Sequence, residues 1–191
     1  LRAVKNRFGS VQEVGVFEMT DAGIFGMADY SNLFLSDSRG EAAGAAVTPS
    51  ETGNRCMMVE LQTLICKTAY GLPRRMSLGL DFNRLVLLIA VLEKRCGISL
   101  ATQDVYLNAM GGIRLSEPSA DLAVCAALAS AERMIPVDKD TAIFGEVGLT
   151  GEVRGVSYAE KRVNECVKMR FKRVVIPEKN LKACEKYADK I

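Results

Sequence analysis

A serine followed by a helix-forming segment is the first candidate for chemistry in this chain. Ser119 lies in the stretch GGIRLSEPSADLAVC, directly after a proline. The 191 residues contain no histidine, which excludes a Ser-His-Asp triad, a Cys-His pair and the commonest metal ligand. A nucleophile at Ser119 would need a lysine or a carboxylate as its base. The alternative is a structural serine that begins a helix and caps its free N–H groups.

Two other kinds of site find little support in the sequence. The glycine-rich stretch GEVGLTGEVRG lacks the Lys-Ser/Thr ending of a phosphate loop, so it predicts a pair of tight turns between strands. The six cysteines are widely spaced and form no CxxC pair. This spacing favours reduced, buried thiols in a cytoplasmic protein, and it predicts no metal site.

The composition is that of a globular protein with one full core and part of a second unit. Hydrophobic residues make up 49% of the chain, charged residues 25%, and the net charge of +2 does not by itself imply nucleic acid. The longest apolar run, LVLLIAVL, is much shorter than the roughly 20 residues that span a bilayer. The first residues lack the apolar core of a signal peptide, so we expect none.

Strand and helix patterns alternate along the chain, which predicts an α/β or α+β fold. Strands are indicated by short apolar or alternating segments: the half-buried VQEVGVFEM, RCMMVELQTLICKT, DVYLNAM, TAIFGEV, GEVRGV and KRVVIP. The segment 36–53 is rich in Gly, Ala and Ser, and it is the predicted boundary or linker.

Four segments have the apolar spacing and the end signals of helices. They are residues 81–97, with Asp81 as N-cap and Gly97 just past the end, residues 119–134, residues 157–169, and the closing stretch EKNLKACEKYADK. Ser157 and Glu160 predict a capping box at the start of the third helix.

Several motifs occur together in an order that resembles the RadA (Sms) family of bacterial DNA-repair proteins. KNRFG, residues 5–9, resembles the signature pentapeptide of that family. From about Gly40 onward the chain resembles the Lon-protease-like domain that ends these proteins. The motifs are PRRMSLGLDFNRLVLLIAVLEKRCG, DVYLNAMGGIRLSEPSADLA, FGEVGLTGEVR and RFKRVVIP, and the resemblance covers nearly the whole chain.

This resemblance implies two parts. Residues 1–39 would be the last strands of a RecA-like ATPase core, and residues 40–191 a Lon-protease-like domain of mixed sheet with packed helices. Members of the family form cytoplasmic homo-hexameric rings that use ATP to move on DNA and extend recombination intermediates, with RecA recombinase as a further partner. We expect ATP, Mg²⁺ and a zinc finger in a preceding part of such a protein. We expect no cofactor and no ATPase activity in these residues.

The resemblance to Lon also tests Ser119. In Lon proteases the serine stands between glycines and is activated by a lysine whose pKa is lowered by burial. Here Glu117 and Asp121 replace the glycines, and the lysine position, 43 residues after the serine, is Arg162. A guanidinium, with a pKa above about 12, cannot act as a base, and the adjacent Lys161 points about 100° away on a helix. We therefore expect no catalytic residue: Ser119 and Arg162 are vestigial, and Arg162 pairs with Glu117 or Asp121.

The basic segments are the candidates for function. The KNRFG motif consists of Lys5, Asn6, Arg7, Phe8 and Gly9. The resemblance implies that its cations reach ATP bound by the neighbouring subunit, as an arginine finger does. The alternative is a solvated linker with its phenylalanine in a core. The candidates for contacts with DNA phosphates are Arg74, Arg75, Arg84 and Arg114, and the alternative is a surface kept soluble by charge.

Three functions stay open at this point. The first is a non-proteolytic Lon-like domain that supports hexamer assembly and DNA binding in a DNA-repair translocase. The second is an active Ser-Lys peptidase. The third is a structural oligomerisation module that contacts no DNA.

Overall fold

A computed structural model describes residues 17–21, 23–26, 35–36, 40–52, 55–69 and 71–191. The KNRFG motif lies outside these residues. The described elements, in chain order, are β1 (Phe17–Thr20), β2 (Gly23–Gly26), β3 (Ala45–Thr52), β4 (Arg55–Lys67), β5 (Arg75–Leu78), α1 (Phe82–Cys96), β6 (Gln103–Ala109), α2 (Asp121–Arg133), β7 (Thr141–Ile143), β8 (Glu146–Val147), β9 (Val153–Arg154), α3 (Ala159–Lys168), β10 (Arg173–Val175) and α4 (Glu178–Cys184).

Six of the strands form one mixed sheet in the order β10-β7-β3-β4-β6-β5. The central strand β4 is antiparallel to both of its neighbours, β3 and β6. The outer pairs are parallel, since β5 runs with β6, β7 with β3, and β10 with β7. A mixed sheet with packed helices is the predicted fold class, and that prediction is confirmed.

Helices cover the sheet on both faces. Successive residues of a strand point to opposite faces, and the core divides accordingly. Val59 of β4 packs in a cluster with residues of α1 and α2. Its neighbour Met58 packs with Cys166 of α3 and with Phe171. Helix α4 continues the second layer, because Cys184 lies in a cluster with Val163 of α3.

The predicted ends of the first helix are confirmed. The Asp81 side chain accepts a hydrogen bond of 3.0 Å from the Arg84 backbone N–H. Gly97 ends the helix in the left-handed region, with φ 65°, where a residue without Cβ meets no steric penalty. No helix of the described residues is long and apolar enough to cross a membrane.

The prediction of a linker over residues 36–53 is wrong for most of that segment. Residues 45–52 form β3, near the middle of the sheet, and pair with β4 along their whole length. The small side chains that suggested a linker are buried there; Ala46 and Ser50, for example, are almost fully covered. Gly44 leads into the strand at φ 97°, and a Cβ would stand 2.4 Å from the Thr63 carbonyl oxygen, so only glycine fits.

Two strand predictions also need correction. The first strand was expected to be half-buried, yet Phe17 and Met19 of β1 are exposed, as are Ile24 and Phe25 of β2, with which it forms a hairpin. TAIFGEV is not one strand: it divides into β7, which joins the main sheet, and β8, which pairs with β9. Alternation of apolar and polar residues does not show whether the apolar face of a strand is buried against another element.

The predicted capping box of the third helix is not formed. Helix α3 begins two residues later than expected, at Ala159, and Tyr158 precedes it in the left-handed region with no side-chain cap. The Ser157 carbonyl oxygen accepts a hydrogen bond of 3.2 Å from Arg162 Nε. This contact satisfies a carbonyl oxygen, whereas a capping box would bind the free N–H groups of the first turn.

A contact at residues 35–36 fastens the segment before β3 to the sheet. Ser36 donates to the Glu60 carboxylate through its backbone N–H at 2.7 Å and through its hydroxyl at 3.2 Å. Gln62 donates to the same carboxylate at 2.7 Å. Glu60 is a buried residue of β4, so these donors satisfy a group that would be costly to bury without partners. Leu35 packs beside them against the cluster under α3.

Candidate functional site

Ser119 is buried and its hydroxyl does not cap a helix. It lies in a short 3-10 turn, Pro118–Ala120, that leads into α2, and neither element has a side-chain cap. Its Oγ makes no hydrogen bond of good geometry among the described residues, although the hydroxyl adds slightly to the lowered pKa of Glu117. Ser119 therefore stands at the amino end of α2, as expected of a structural serine, but its hydroxyl does not cap the helix.

Arg162 occupies the position where a Lon-type dyad requires a lysine. Its side chain is 0% exposed, and its guanidinium binds three elements at once. Nη2 donates to Glu117 Oε2 at 2.6 Å, Nη1 donates to the Pro49 carbonyl oxygen of β3 at 2.6 Å, and Nε donates to the Ser157 carbonyl oxygen. The predicted pairing of Arg162 with Glu117 is confirmed. A buried cation with all these acceptors cannot take a proton from serine.

Glu117 completes the pair from the loop before α2. Besides Arg162, it accepts a hydrogen bond of 3.0 Å from the Glu51 backbone N–H at the end of β3. Burial raises the pKa of Glu117, but the hydrogen bonds from Arg162 and from the Glu51 backbone outweigh it, and the pKa lies below its usual range. The carboxylate stays charged at neutral pH, where it opposes any oxyanion formed at Ser119.

The neighbouring lysine is held by a different carboxylate. Lys161 Nζ lies 3.1 Å from Glu51 Oε1. Its ammonium group is therefore bound to Glu51 and not to Ser119. Cys56, next to this network, is also unreactive, because burial raises the pKa of its thiol to about 12. Among the residues that the structure describes, none supplies a base for Ser119 or a thiolate in its place.

The second carboxylate of the EPSAD stretch has another partner. Asp121, at the start of α2, is buried and binds Arg84 of α1 through two hydrogen bonds, one of them 2.9 Å long. Asp121 also accepts a hydrogen bond of 3.1 Å from the Val147 N–H of β8. Arg84 donates a hydrogen bond of 3.1 Å to the Val147 carbonyl oxygen. The pair therefore ties α1, α2 and the β8–β9 hairpin together, and the alternative pairing of Arg162 with Asp121 is excluded.

The four candidate DNA-binding arginines divide into two kinds. Arg84 is committed to Asp121, and the Arg75 guanidinium donates to the carbonyl oxygens of Arg74, Leu100 and Gln103. Arg74 and Arg114 are exposed, and neither forms an ion pair with the residues that the structure describes. These two have guanidinium groups free to meet a phosphate.

The sequence did not indicate two contributors to the Arg162 network. The Pro49 carbonyl and the Glu51 backbone lie in the segment interpreted as a linker, and backbone groups leave no residue-type signal. Their place in a strand opposite α3 was the missing information. Across the described residues, no group of three or more acidic or cysteine side chains is arranged to hold a metal ion.

Comparison with known proteins gives matches along nearly the whole chain. DNA repair protein RadA of Halalkalibacterium halodurans is 51% identical over 181 residues, which cover 95% of this chain and 40% of that protein. The Bacillus subtilis protein of the same name is 50% identical over the same share. The chain is a homologue of DNA repair protein RadA. RadA of Streptococcus pyogenes is 45% identical over 97% of the chain. The resemblance predicted from the motifs is thereby confirmed.

The relatives are longer than this chain, which spans about 40% of the length of the RadA proteins that it matches. A second comparison concerns a shorter stretch. The family described as subunit ChlI of Mg-chelatase matches residues 88–180, a span that begins inside α1 and ends inside α4. This span contains the Ser119 turn, the Arg162–Glu117 pair and the β8–β9 hairpin, but only Asp121 of the Arg84–Asp121 pair.

Proposed function

We propose that residues 40–191 are a non-proteolytic Lon-protease-like domain that acts in DNA repair. In this proposal residues 1–39, with the KNRFG motif, are the last part of a RecA-like ATPase core. The domain supports assembly of a hexamer and binds DNA in an ATP-dependent DNA translocase. The RadA name and identity of its relatives support the repair role.

One observation carries the non-proteolytic part of this proposal: Arg162 is buried against Glu117 at the position of the dyad lysine. The alternative, a Ser-Lys peptidase, would need a neutral amine beside Ser119. A casein or fluorogenic-peptide assay tests it. We expect no hydrolysis above background, and equal results for the chain and its Ser119→Ala variant. Hydrolysis that disappears in Ser119→Ala would establish the peptidase instead.

The exposed side chains of Arg74 and Arg114 support the DNA-binding part of the proposal. Phosphate contacts release counterions, so affinity should fall steeply as salt rises. Gel shifts of the 191-residue chain with single-stranded and branched DNA at low salt test this. We expect Arg74→Ala and Arg114→Ala to weaken binding. No binding of the unaltered chain at low salt would favour the purely structural oligomerisation module.

The KNRFG motif is tested in a full-length relative. Alanine at the positions equivalent to Lys5 and Arg7 should lower DNA-stimulated ATP hydrolysis, since an arginine finger stabilises charge in the transition state. Alanine at the position equivalent to Asn6 is the control for local disturbance. Unchanged hydrolysis and translocation in both cation variants would contradict a role at the ATPase subunit boundary.

A further inference from the structure

Tyr158 is an exposed aromatic residue in a strained backbone conformation. Its φ of 56° lies in the left-handed region, which is unfavourable for a residue with a Cβ. Met134 and Arg170 also have positive φ, but each follows a helix, the usual place for this conformation. Tyr158 instead precedes α3, where an extended backbone and a short polar side chain are the norm. Its side chain is not buried in compensation, since Tyr158 is 68% exposed.

The turn around Tyr158 is held in place by the side chains of Arg162 and Asn180. Arg162 Nε donates to the Ser157 carbonyl oxygen. The Val156 N–H donates to Asn180 Oδ1 at 2.9 Å, and the Val156 carbonyl oxygen accepts from Asn180 Nδ2 at 3.0 Å. The two residues before Tyr158 are therefore both fixed. The ring is presented on an ordered backbone, so little further order is lost when a ligand covers it.

A cation lies over one face of the ring. Lys161 Nζ is 5.9 Å from the centroid of the Tyr158 ring, and the same amine is 3.1 Å from Glu51 Oε1. Aromatic rings with cations beside them are the means by which proteins bind single-stranded nucleic acid, because a base stacks on the ring and its phosphate meets the cation. The exposed, strained and ordered ring of Tyr158 suits that ligand.

Further cations stand beside the turn on α4. Lys179 lies against Gly155, where a Cβ would stand 3.2 Å from the Lys179 Cβ. Lys182 follows three residues later on the same side of the helix. Both lysines are exposed, and neither forms an ion pair with the residues that the structure describes. Glu178, directly before Lys179, is exposed as well, so the two amines give this side of α4 a small excess of positive charge.

The buried Arg162–Glu117 pair joins this turn to a candidate DNA-binding arginine. Tyr158 stands four residues before Arg162, and the exposed Arg114 stands three residues before Glu117. We propose that Tyr158 stacks on a base of single-stranded DNA, whose phosphates are bound by Lys179 and Arg114. The inference rests on the DNA binding of the proposed function and deepens it, because it names the form of DNA and the residue that holds a base.

A fluorescent variant tests the stacking directly. The chain contains no tryptophan, so Tyr158→Trp introduces a single indole. We expect oligo(dT) at low salt to quench its fluorescence, and added salt to reverse the quenching. A duplex of equal length should leave it unchanged, because its bases are stacked on one another. Leu149→Trp, at a position 64% exposed in the turn between β8 and β9, is the matched control and should not be quenched.

Gel shifts of the unaltered chain and of Tyr158→Trp with the same oligonucleotide separate the contrary results. DNA that binds Tyr158→Trp without quenching its indole overturns the inference and leaves DNA binding intact. Equal quenching in the two tryptophan variants, or equal quenching by the duplex, also overturns it. No shift of the unaltered chain at low salt overturns both the inference and the DNA binding of the proposed function.

A second set of variants separates stacking from stability. Tyr158→Gly removes the ring and suits the left-handed backbone, so it should unfold at an equal or higher urea concentration. It should nevertheless bind oligo(dT) about fivefold or more weakly, the effect expected when one stacked base loses its aromatic partner. Tyr158→Phe keeps the ring and should bind as the unaltered chain does. Equal affinities of Tyr158→Gly and the unaltered chain would refute base stacking by Tyr158.

Discussion

Arg162 and Glu117 form a buried ion pair, with 2.6 Å between Nη2 and Oε2, that joins helix α3 to the loop before α2. The same guanidinium binds the Pro49 carbonyl oxygen at 2.6 Å. Three elements distant in sequence therefore depend on one side chain. The site that would hold a peptidase dyad instead links three elements of the fold, and its contribution to the free energy of unfolding can be measured.

Replacement of Arg162 should be strongly destabilising. Arg162→Ala leaves Glu117 and the Pro49 carbonyl without their donor, and loss of one partner of a buried pair costs about 3–5 kcal/mol in the free energy of unfolding. Urea denaturation followed by circular dichroism measures this. Arg173→Ala, which removes an exposed ion pair with Asp138, should cost less than about 1 kcal/mol. Similar losses in both variants would contradict the role of the pair.

Ser119→Ala should leave stability unchanged or raise it by up to about 1 kcal/mol, because its buried hydroxyl lacks a well-formed hydrogen bond. Ser130→Ala is the matched control. Ser130 Oγ accepts from the Gly44 N–H at 2.9 Å and donates to the Ile135 carbonyl oxygen, so its loss should cost about 1–3 kcal/mol. A loss for Ser119→Ala as large as that for Ser130→Ala would mean that the hydroxyl has a partner.

Alanine variants of the candidate DNA-binding arginines should differ in stability and in DNA binding. Arg84→Ala breaks a buried pair with Asp121, so we expect a loss of unfolding free energy of about 3 kcal/mol or more. Arg74→Ala and Arg114→Ala should stay within about 0.5 kcal/mol. In DNA binding each of these two should reduce the slope of log affinity against log salt by about 0.7–0.9. An unchanged slope would remove that arginine from the DNA contacts.

Acid should weaken the fold partly through Glu117. Because its pKa is lowered in the folded state, this group stabilises the fold fully above its unfolded pKa, roughly 4.3. The contribution is lost as the pH falls through the lower folded value. Glu117→Gln should therefore lose less stability between pH 7 and pH 3 than the unaltered chain does. Glu178→Gln, at an exposed position, should follow the unaltered chain.

Thiol labelling should distinguish two classes of cysteine. Cys66 and Cys96 are exposed, and the other four are buried. Burial raises the pKa of Cys56 and of Cys125 to about 12, so neither forms the reactive thiolate at neutral pH. Iodoacetamide at pH 8 should modify two thiols in the folded chain and six in urea, counted by mass spectrometry. Rapid modification of Cys56 in the folded chain would contradict its burial.

Sequence patterns were most informative where local chemistry decides the structure. Asp81 and Gly97 predicted the ends of α1 correctly, because caps depend on residues within one turn. Arginine at position 162 predicted a pair with Glu117 or Asp121, because a buried guanidinium needs an anion, and the pair with Glu117 is the one that forms. Neither inference required knowledge of which distant segments of the chain are in contact.

The rest required knowledge of which segments meet. The small residues of β3 indicated a linker, since composition does not show that a strand lies in the middle of a sheet. Ser157 and Glu160 had the spacing of a capping box, but α3 begins at Ala159, after Tyr158 in the left-handed region. The sequence indicated that Arg75 and Arg84 were free cations, because their acceptors, Leu100 and Asp121, lie far from them in the chain.

The clamp between Ser36 and Glu60 has a mechanical consequence. Tension applied to the chain before Ser36 enters the domain through two hydrogen bonds to Glu60. That residue lies in the central strand β4, which is held on both sides by antiparallel neighbours. A load applied there is thus passed to the middle of the sheet before it reaches β3.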